Sequence, residues 1–352
     1  MSADSTRSSR WSAQKRTAAT ELYIRGRKLA EEMSPETMTG ALDAFGQALA
    51  LDPAYAPPAA ASADGHLYLK NTDASRAEEH LRKAREFAEL AVRLDPQLAE
   101  AHCSRAAVRQ AEWNWRAAED SYRESLRLNP RLSKTHRWFA GLLLQFGRGE
   151  EALQHMAAAR ELDPYDRALP GQQGLYLFLA GQPRQALQVL EPAVHELDVV
   201  GRSDSSRQNL AQVYAYLGNR THGTEAQELF DKAIAQARTI QAFEGRRAQR
   251  MAQPPPPVSA SLFALIHSLR GDRAAARPFL ERVQEEYTQR RMPVLYLAWI
   301  HAVQGNHDET MRLLETAWRE HDPTMLYVKV LPFYEPLRPD PRFQDLIRRM
   351  GL

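Results

Sequence analysis

The side chains best suited to chemistry in this chain are eleven histidines, one cysteine and several acidic pairs, and their spacing decides what they can do. A helical zinc site needs two histidines about one turn apart with a glutamate between them, and no pair here has that arrangement. His66, His267 and His301 instead recur at one interior position of a helical pattern, where an imidazole packs with one ring nitrogen satisfied. A phosphate-cradling loop needs a Gly-Lys step, which is absent, and Gly171 to Gly174 opens a helical run with no strand before it. Ser203, Ser205 and Ser206 have no adjacent histidine to accept a proton, so they read as a polar loop. Glu150 with Glu151, and Glu285 with Glu286, fall on expected outer faces, where carboxylates are solvated. Cys103 allows no internal disulfide and reads as a small packed residue in a reducing, cytoplasmic setting. The expectation is a non-enzymatic chain with no catalytic residue, metal or cofactor.

What organises these residues is a repeat. Leu-Asp-Pro, or Leu-Asn-Pro, closes Ala-rich runs at Pro53, Pro96, Pro130 and Pro164, and the last two intervals are 34 residues each. Upstream of each proline lies the same stripe: Ala41, Phe45 and Ala48; Ala118, Tyr122 and Ser125; Ala152, Met156 and Ala159. Spacings of four and three put each triplet on one helix face. The preceding helix pairs a bulky residue with a small one, as in Phe139, Ala140 and Leu143, so that two backbones can approach closely.

These residues resemble the tetratricopeptide repeat, or TPR, whose unit is a helix pair with a large residue and Gly or Ala in the first helix, then Ala, an aromatic and a closing Pro in the second. Gly147, Gly181, Gly218, Gly271 and Gly305 fall where that family turns between its two helices and carry the register into the C-terminal half. The resemblance implies an all-α fold: a right-handed superhelical TPR solenoid of about eight helix pairs with a C-terminal capping segment. The expected organisation is a disordered basic and Ser-rich tail over 1–18, helix pairs one to six over 19–239, an Arg/Pro-rich loop over 240–258, pairs seven and eight over 259–330, and a cap over 331–352.

Trp318, Asp322, Pro323, Lys329, Pro332, Pro341 and Phe343 resemble the segment that closes TPR arrays in bacterial signalling and transcriptional regulators. Those arrays usually follow an effector domain. The stretch before the first expected helix here is about twenty residues, short of the usual 50 or more, so no effector activity is carried over. A sensor or regulatory subunit acting through a separate effector is the alternative to a scaffold. Phe343, Leu346 and Ile347 are spaced to cover the last apolar face.

Net charge of +2 gives no concentrated basic face for nucleic acid, even with Arg246, Arg247 and Arg250, because Glu244 sits among them. No apolar run approaches the roughly 20 residues needed to span a membrane. Pro254 to Pro257 must leave a helix and run extended, as a linker or as a ligand for an aromatic-lined groove elsewhere. The expected partner is a protein or peptide, and self-association is compatible with the sequence.

In the repeat register the first helices line a concave groove. It collects Asp64, Gln110, Lys134, Arg137, Trp138, Gly141, Gln208, Gln212 and Trp299. Gln and Arg suit peptide amides, and an indole suits an apolar side chain. Lys134 and Arg137 suit a carboxylate, but the Lys and Asn set with which some family members hold a C-terminal carboxylate is absent. Trp138 either lines the groove or packs between units. Replacing Ala140 with Trp is expected to overpack its helix pair and cost about 1 to 3 kcal/mol. Thermal unfolding followed by circular dichroism checks this, and an unchanged melting temperature would contradict the register.

Overall fold

The computed structural model describes residues 3–72, 74–166, 168–199, 205–249, 257–289 and 291–352, and in it the repeated tripeptide is a helix stop. The N–H groups of Asp52, Asp95, Asn129 and Asp163 bond back to the carbonyls of Ala48, Ala91, Ser125 and Ala159 at 2.9 to 3.0 Å. At three of these residues a side-chain oxygen then accepts from the N–H two residues on: Ala54 at 3.1 Å, Gln97 at 2.9 Å and Arg131 at 3.0 Å. The proline between has no N–H to leave unsatisfied and cannot prolong the helix.

Helices separated by these stops form two compact units, residues 1–142 and 143–352, and no strand occurs among the described residues. The first unit contains α1 (Ala3–Ala30), α2 (Pro35–Leu51), α3 (Ala56–Thr72), α4 (Ala77–Leu94), α5 (Ala99–Ala111), α6 (Trp115–Leu128) and the start of α7 (Ser133–Gln145). Here α1 packs on α2, α3 on α4 and α5 on α6, and α3 also meets α5. The second unit contains α8 (Gly149–Leu162), α9 (Ala168–Leu179), α10 (Pro183–Val199), α11 (Ser205–Arg220), α12 (Gly223–Ala248), α13 (Val258–Leu269), α14 (Arg273–Thr288), α15 (Leu295–Val303), α16 (His307–Arg319) and α17 (Pro341–Arg349). Two 3-10 stretches, Pro323–Tyr327 and Pro332–Leu337, lie between α16 and α17. Successive pairs α9/α10, α11/α12, α13/α14 and α15/α16 pack in chain order, and α9, α11, α13 and α15 follow one another as the inner row.

The expected stripes are the buried ones. Ala41, Ala48, Ala118, Ala152, Ala159 and Met156 have no exposed surface, and Phe45 and Tyr122 have almost none. In the first unit the Tyr122 ring stacks on Phe139 with centroids 5.5 Å apart. In the second, a Cβ on Gly174 of α9 would lie 2.3 Å from Leu190 Cγ of α10, so only a glycine admits that side chain. Gly147, Gly181, Gly271 and Gly305 take positive φ at the turns, as the register requires. Gly218 departs from that expectation. It is helical, because α11 runs on to Arg220, and a Cβ there would meet the Phe230 ring at 3.2 Å. The positive φ falls at Gly223 instead. In the turn between α5 and α6, where the other turns use glycine, Trp113 holds φ 60° and its ring stacks on Trp115.

Two boundaries also differ from expectation. The stretch 1–18, expected as a disordered tail, is helical from Ala3, since no Gly or Pro interrupts it and its Ala, Arg, Gln and Lys residues favour helix. Within the expected Arg/Pro-rich loop, α12 extends to Ala248 and Glu244 accepts from the Ser259 N–H at 3.1 Å. Arg250 and Pro254 to Pro256 lie outside the described residues.

The hairpin of α3 and α4 buries an imidazole pair, with His66 Nδ1 3.0 Å from His80 Nδ1 and the His66 ring stacked on Phe87. One ring must donate and the other accept, so at least one is neutral. Burial, then the charges of His80 and Lys83, lower the His66 pKa to about 4.

Two outcomes are expected. Gly174→Ala should destabilise by about 1 to 3 kcal/mol in urea unfolding, and Leu190→Ala should cost less in that variant than in the parent chain, because the clash is gone. Stability should also fall between the ordinary histidine pKa of 6.5 and about 4, since the unfolded His66 takes up a proton in that window and the folded one does not. Urea midpoints at pH 7.5, 6.0 and 5.0 measure the slope, which His66→Gln should reduce.

Candidate functional site

In the first unit the expected groove residues converge on one carboxylate. Asp64 of α3 accepts from Ser104 Oγ of α5 at 2.7 Å, and its second oxygen pairs with Lys134 Nζ of α7. One side chain therefore ties three successive first helices. The Lys134 ammonium sits 4.3 Å from the centre of the Trp138 ring one turn along α7. Burial works against this ammonium, but the Asp64 charge and hydrogen bond outweigh it and hold the pKa above its usual value. Behind the pair, burial pushes the Cys103 thiol up to about 11, which keeps it protonated and unreactive.

Gln110 accepts from the Tyr122 hydroxyl at 3.0 Å, which fixes its amide and leaves the NH2 as the donor end. Arg137 and Trp138 are half-buried. Gly141, expected on the groove, is buried with its neighbours Ala140 and Leu142 and offers no surface. Lys134 differs from its expected role as well. Its charge is already matched within the chain, so it presents an ion pair rather than a free cation.

In the second unit the chain itself covers the expected groove. Gln208 lies beside the Tyr296 hydroxyl, and Gln212 is buried. The Trp299 ring lies edge-on to Tyr296 at 4.8 Å and to Phe333 at 6.0 Å. Phe333 belongs to the segment after α16, and its ring also meets Phe178 of α9 at 5.8 Å and Tyr216 of α11 at 6.4 Å. Tyr327 of the same segment approaches Tyr176 at 6.4 Å, and Lys329 Nζ bonds the Phe146 carbonyl at 3.2 Å. Arg220 of α11 pairs with Glu335. The segment 323–337 thus lies as a strap across the first helices α9, α11 and α15, with Met325, Val328, Phe333, Tyr334 and Leu337 buried. Beyond it, α17 buries Phe343, Leu346 and Ile347 and packs on α16.

The expected cap over 331–352 begins inside this strap, and no repeat position marks where the strap starts. The signal was present in its density of large apolar residues, including Met325, Tyr327, Val328, Leu331, Phe333 and Tyr334, which exceeds what covering one helix pair needs. Among the described residues no three His, Cys, Asp or Glu side chains gather as a metal site, and no helix is long and apolar enough to cross a membrane.

No protein-family model and no curated protein matches the chain. Solved structures do. The APC/C hetero-tetramer Cut9-Hcn1 aligns over 85% of this chain and 48% of the matched chain, with 17% identity and a TM-score of 0.52. A tetratricopeptide repeat protein from Parabacteroides merdae aligns over 83% of this chain and 99% of its own, with 14% identity and a TM-score of 0.50. About eight helix pairs, packed in chain order within each unit, buried Ala and aromatic stripes at the repeat positions, and structural neighbours of this kind give the chain the tetratricopeptide-repeat solenoid fold.

Proposed function

We propose that this protein is a non-enzymatic interaction scaffold that binds a peptide or partner helix along the first-helix face of its first unit. The arrangement of Asp64, Lys134 and Trp138 carries this reading. Three successive first helices are tied by Asp64, through a partly exposed ion pair with Lys134 and a hydrogen bond from Ser104, and an indole held beneath the ammonium is ordered before any partner arrives. Ordering side chains in advance lowers the entropy lost on binding. Trp138 offers an apolar platform, the Gln110 amide a donor for a peptide carbonyl, and the Asp64–Lys134 pair a polar stop at one edge. The second unit does not compete for this role on its own first-helix face, because the strap lies there. One of the structural neighbours is a hetero-tetramer, which is consistent with a protein partner.

Random dodecapeptides on phage, panned on the full chain, provide probes whose affinity is then measured by fluorescence anisotropy. Trp138→Ala should weaken the selected peptides roughly 10-fold or more, the loss expected for an indole anchor, with the circular dichroism spectrum unchanged. Gln110→Ala should produce a smaller loss in the same direction. Lys134→Glu is expected instead to lower the melting temperature, because it sets two carboxylates together at a partly buried site. If no enriched peptide lost affinity for the Trp138→Ala protein, this face would be ruled out.

A further inference from the structure

A second candidate surface lies in the second unit, beside the strap, where the turns between first and second helices meet the C-terminal segment. It is a cleft of about 1280 Å³, walled by the α8 start, the α9 end, the strap and α17. Its lining is mixed: the half-buried Tyr216 ring and the edges of the buried Leu179, Phe343 and Ile347 supply the apolar part. Its lining carries four cations, Arg148, Lys329, Arg338 and Arg348, against three carboxylates, Glu150, Glu151 and Glu335. Arg148 pairs with Glu151 at 2.6 Å, and Glu335 pairs with Arg220. Lys329 and Arg338 also line the cleft, and among the described residues neither has a carboxylate within ion-pair range. Lys329 Nζ donates only to the Phe146 carbonyl, and an Arg338 Nη only to the Val330 carbonyl at 3.4 Å. Burial alone, with no counter-charge beside it, lowers the Lys329 pKa.

Withdrawing the Lys329 ammonium from water without a partner is unfavourable, and a carboxylate brought to it would relieve that cost, with the exposed Arg338 as a second donor. The Arg338 bond to the Val330 carbonyl ties this guanidinium to the residue that follows Lys329. The volume exceeds the 300 to 1,000 Å³ typical of small-molecule pockets, and the apolar part of the lining needs more than an anion to cover it. We propose that this cleft binds a short acidic peptide segment, with a carboxylate between Lys329 and Arg338 and flanking apolar side chains on Tyr216, Leu179 and Phe343. The site is independent of the first-unit face and of the reading given to it.

The test uses the full chain carrying Trp138→Ala, so that the first-unit face contributes nothing, panned with the same dodecapeptide library. Enriched peptides should carry Asp or Glu flanked by apolar residues. As fluorescein-labelled synthetic peptides they should bind at least 10-fold more weakly when Lys329→Met and Arg338→Met are added, and 150 mM salt should weaken them relative to 20 mM. Inorganic phosphate at 10 mM should displace little of the peptide. Enrichment of peptides without acidic residues, equal binding to the double variant, or full displacement by phosphate would each overturn the proposal, the last by marking a small-anion site. If the double variant unfolds, a p-benzoylphenylalanine derivative of the selected peptide is crosslinked to the chain with Lys329 and Arg338 intact. Crosslinks within 147–154 or 341–348 support the cleft, and crosslinks confined to other segments overturn it.

Discussion

Close approach of helix backbones at small residues is the constraint on which the rest of this fold depends. Alanines such as Ala41, Ala118, Ala152, Ala233 and Ala317 are fully covered, and Gly174 leaves no room for even a methyl group beside Leu190. Helices that come this near bury their neighbours' large side chains without voids, and dispersion contacts of this density exist only while the spacing is kept. Every pair then presents its next neighbour with the same surface. That is why an array can lengthen without one growing core.

Polar ties within the units are fewer and more specific. The Asx side chain of the repeated tripeptide stops one helix and starts the turn to the next, so the period in the sequence is the spacing of a hydrogen-bonded turn. Ser125 Oγ donates to the Ala99 carbonyl at 2.8 Å and lies 2.8 Å from Thr135 Oγ1, which joins three helices in the way Asp64 does at the surface. A partly buried ion pair such as Asp64 with Lys134 adds little net stability, but loss of either partner strands the other. Such a pair sets alignment between helices more than it sets their stability, and the aromatic and amide groups beside it inherit that alignment.

Much of this was legible in the sequence because it is local and periodic. The stripes around Phe45, Tyr122 and Met156, and the turn glycines at Gly147, Gly181, Gly271 and Gly305, depend on residues only a few positions away. Gly218 was misplaced because a glycine suited to a turn is equally suited to close helix contact, and the aromatic ring that decides between them, Phe230, lies beyond the turn. Asp64 and Lys134 were each placed on the groove, but their pairing links residues 70 apart and is invisible to periodicity. The strap was hidden for the same reason. Its anchor to Phe146 spans 183 residues, and no repeat pattern encodes a contact made once.

That single long closure changes how the second unit can come apart. Arrays whose units touch only their immediate neighbours lose structure progressively from a free end, one hairpin at a time. Here the final hairpin is knotted back, through Tyr327, Lys329 and Phe333, to helices near the beginning of the same unit. Peeling away α15 and α16 must also release α9 and α11, so fraying is replaced by a more concerted opening. Such distant closure costs more chain entropy than a contact between adjoining hairpins, and once made it couples the last helices of the second unit to its first.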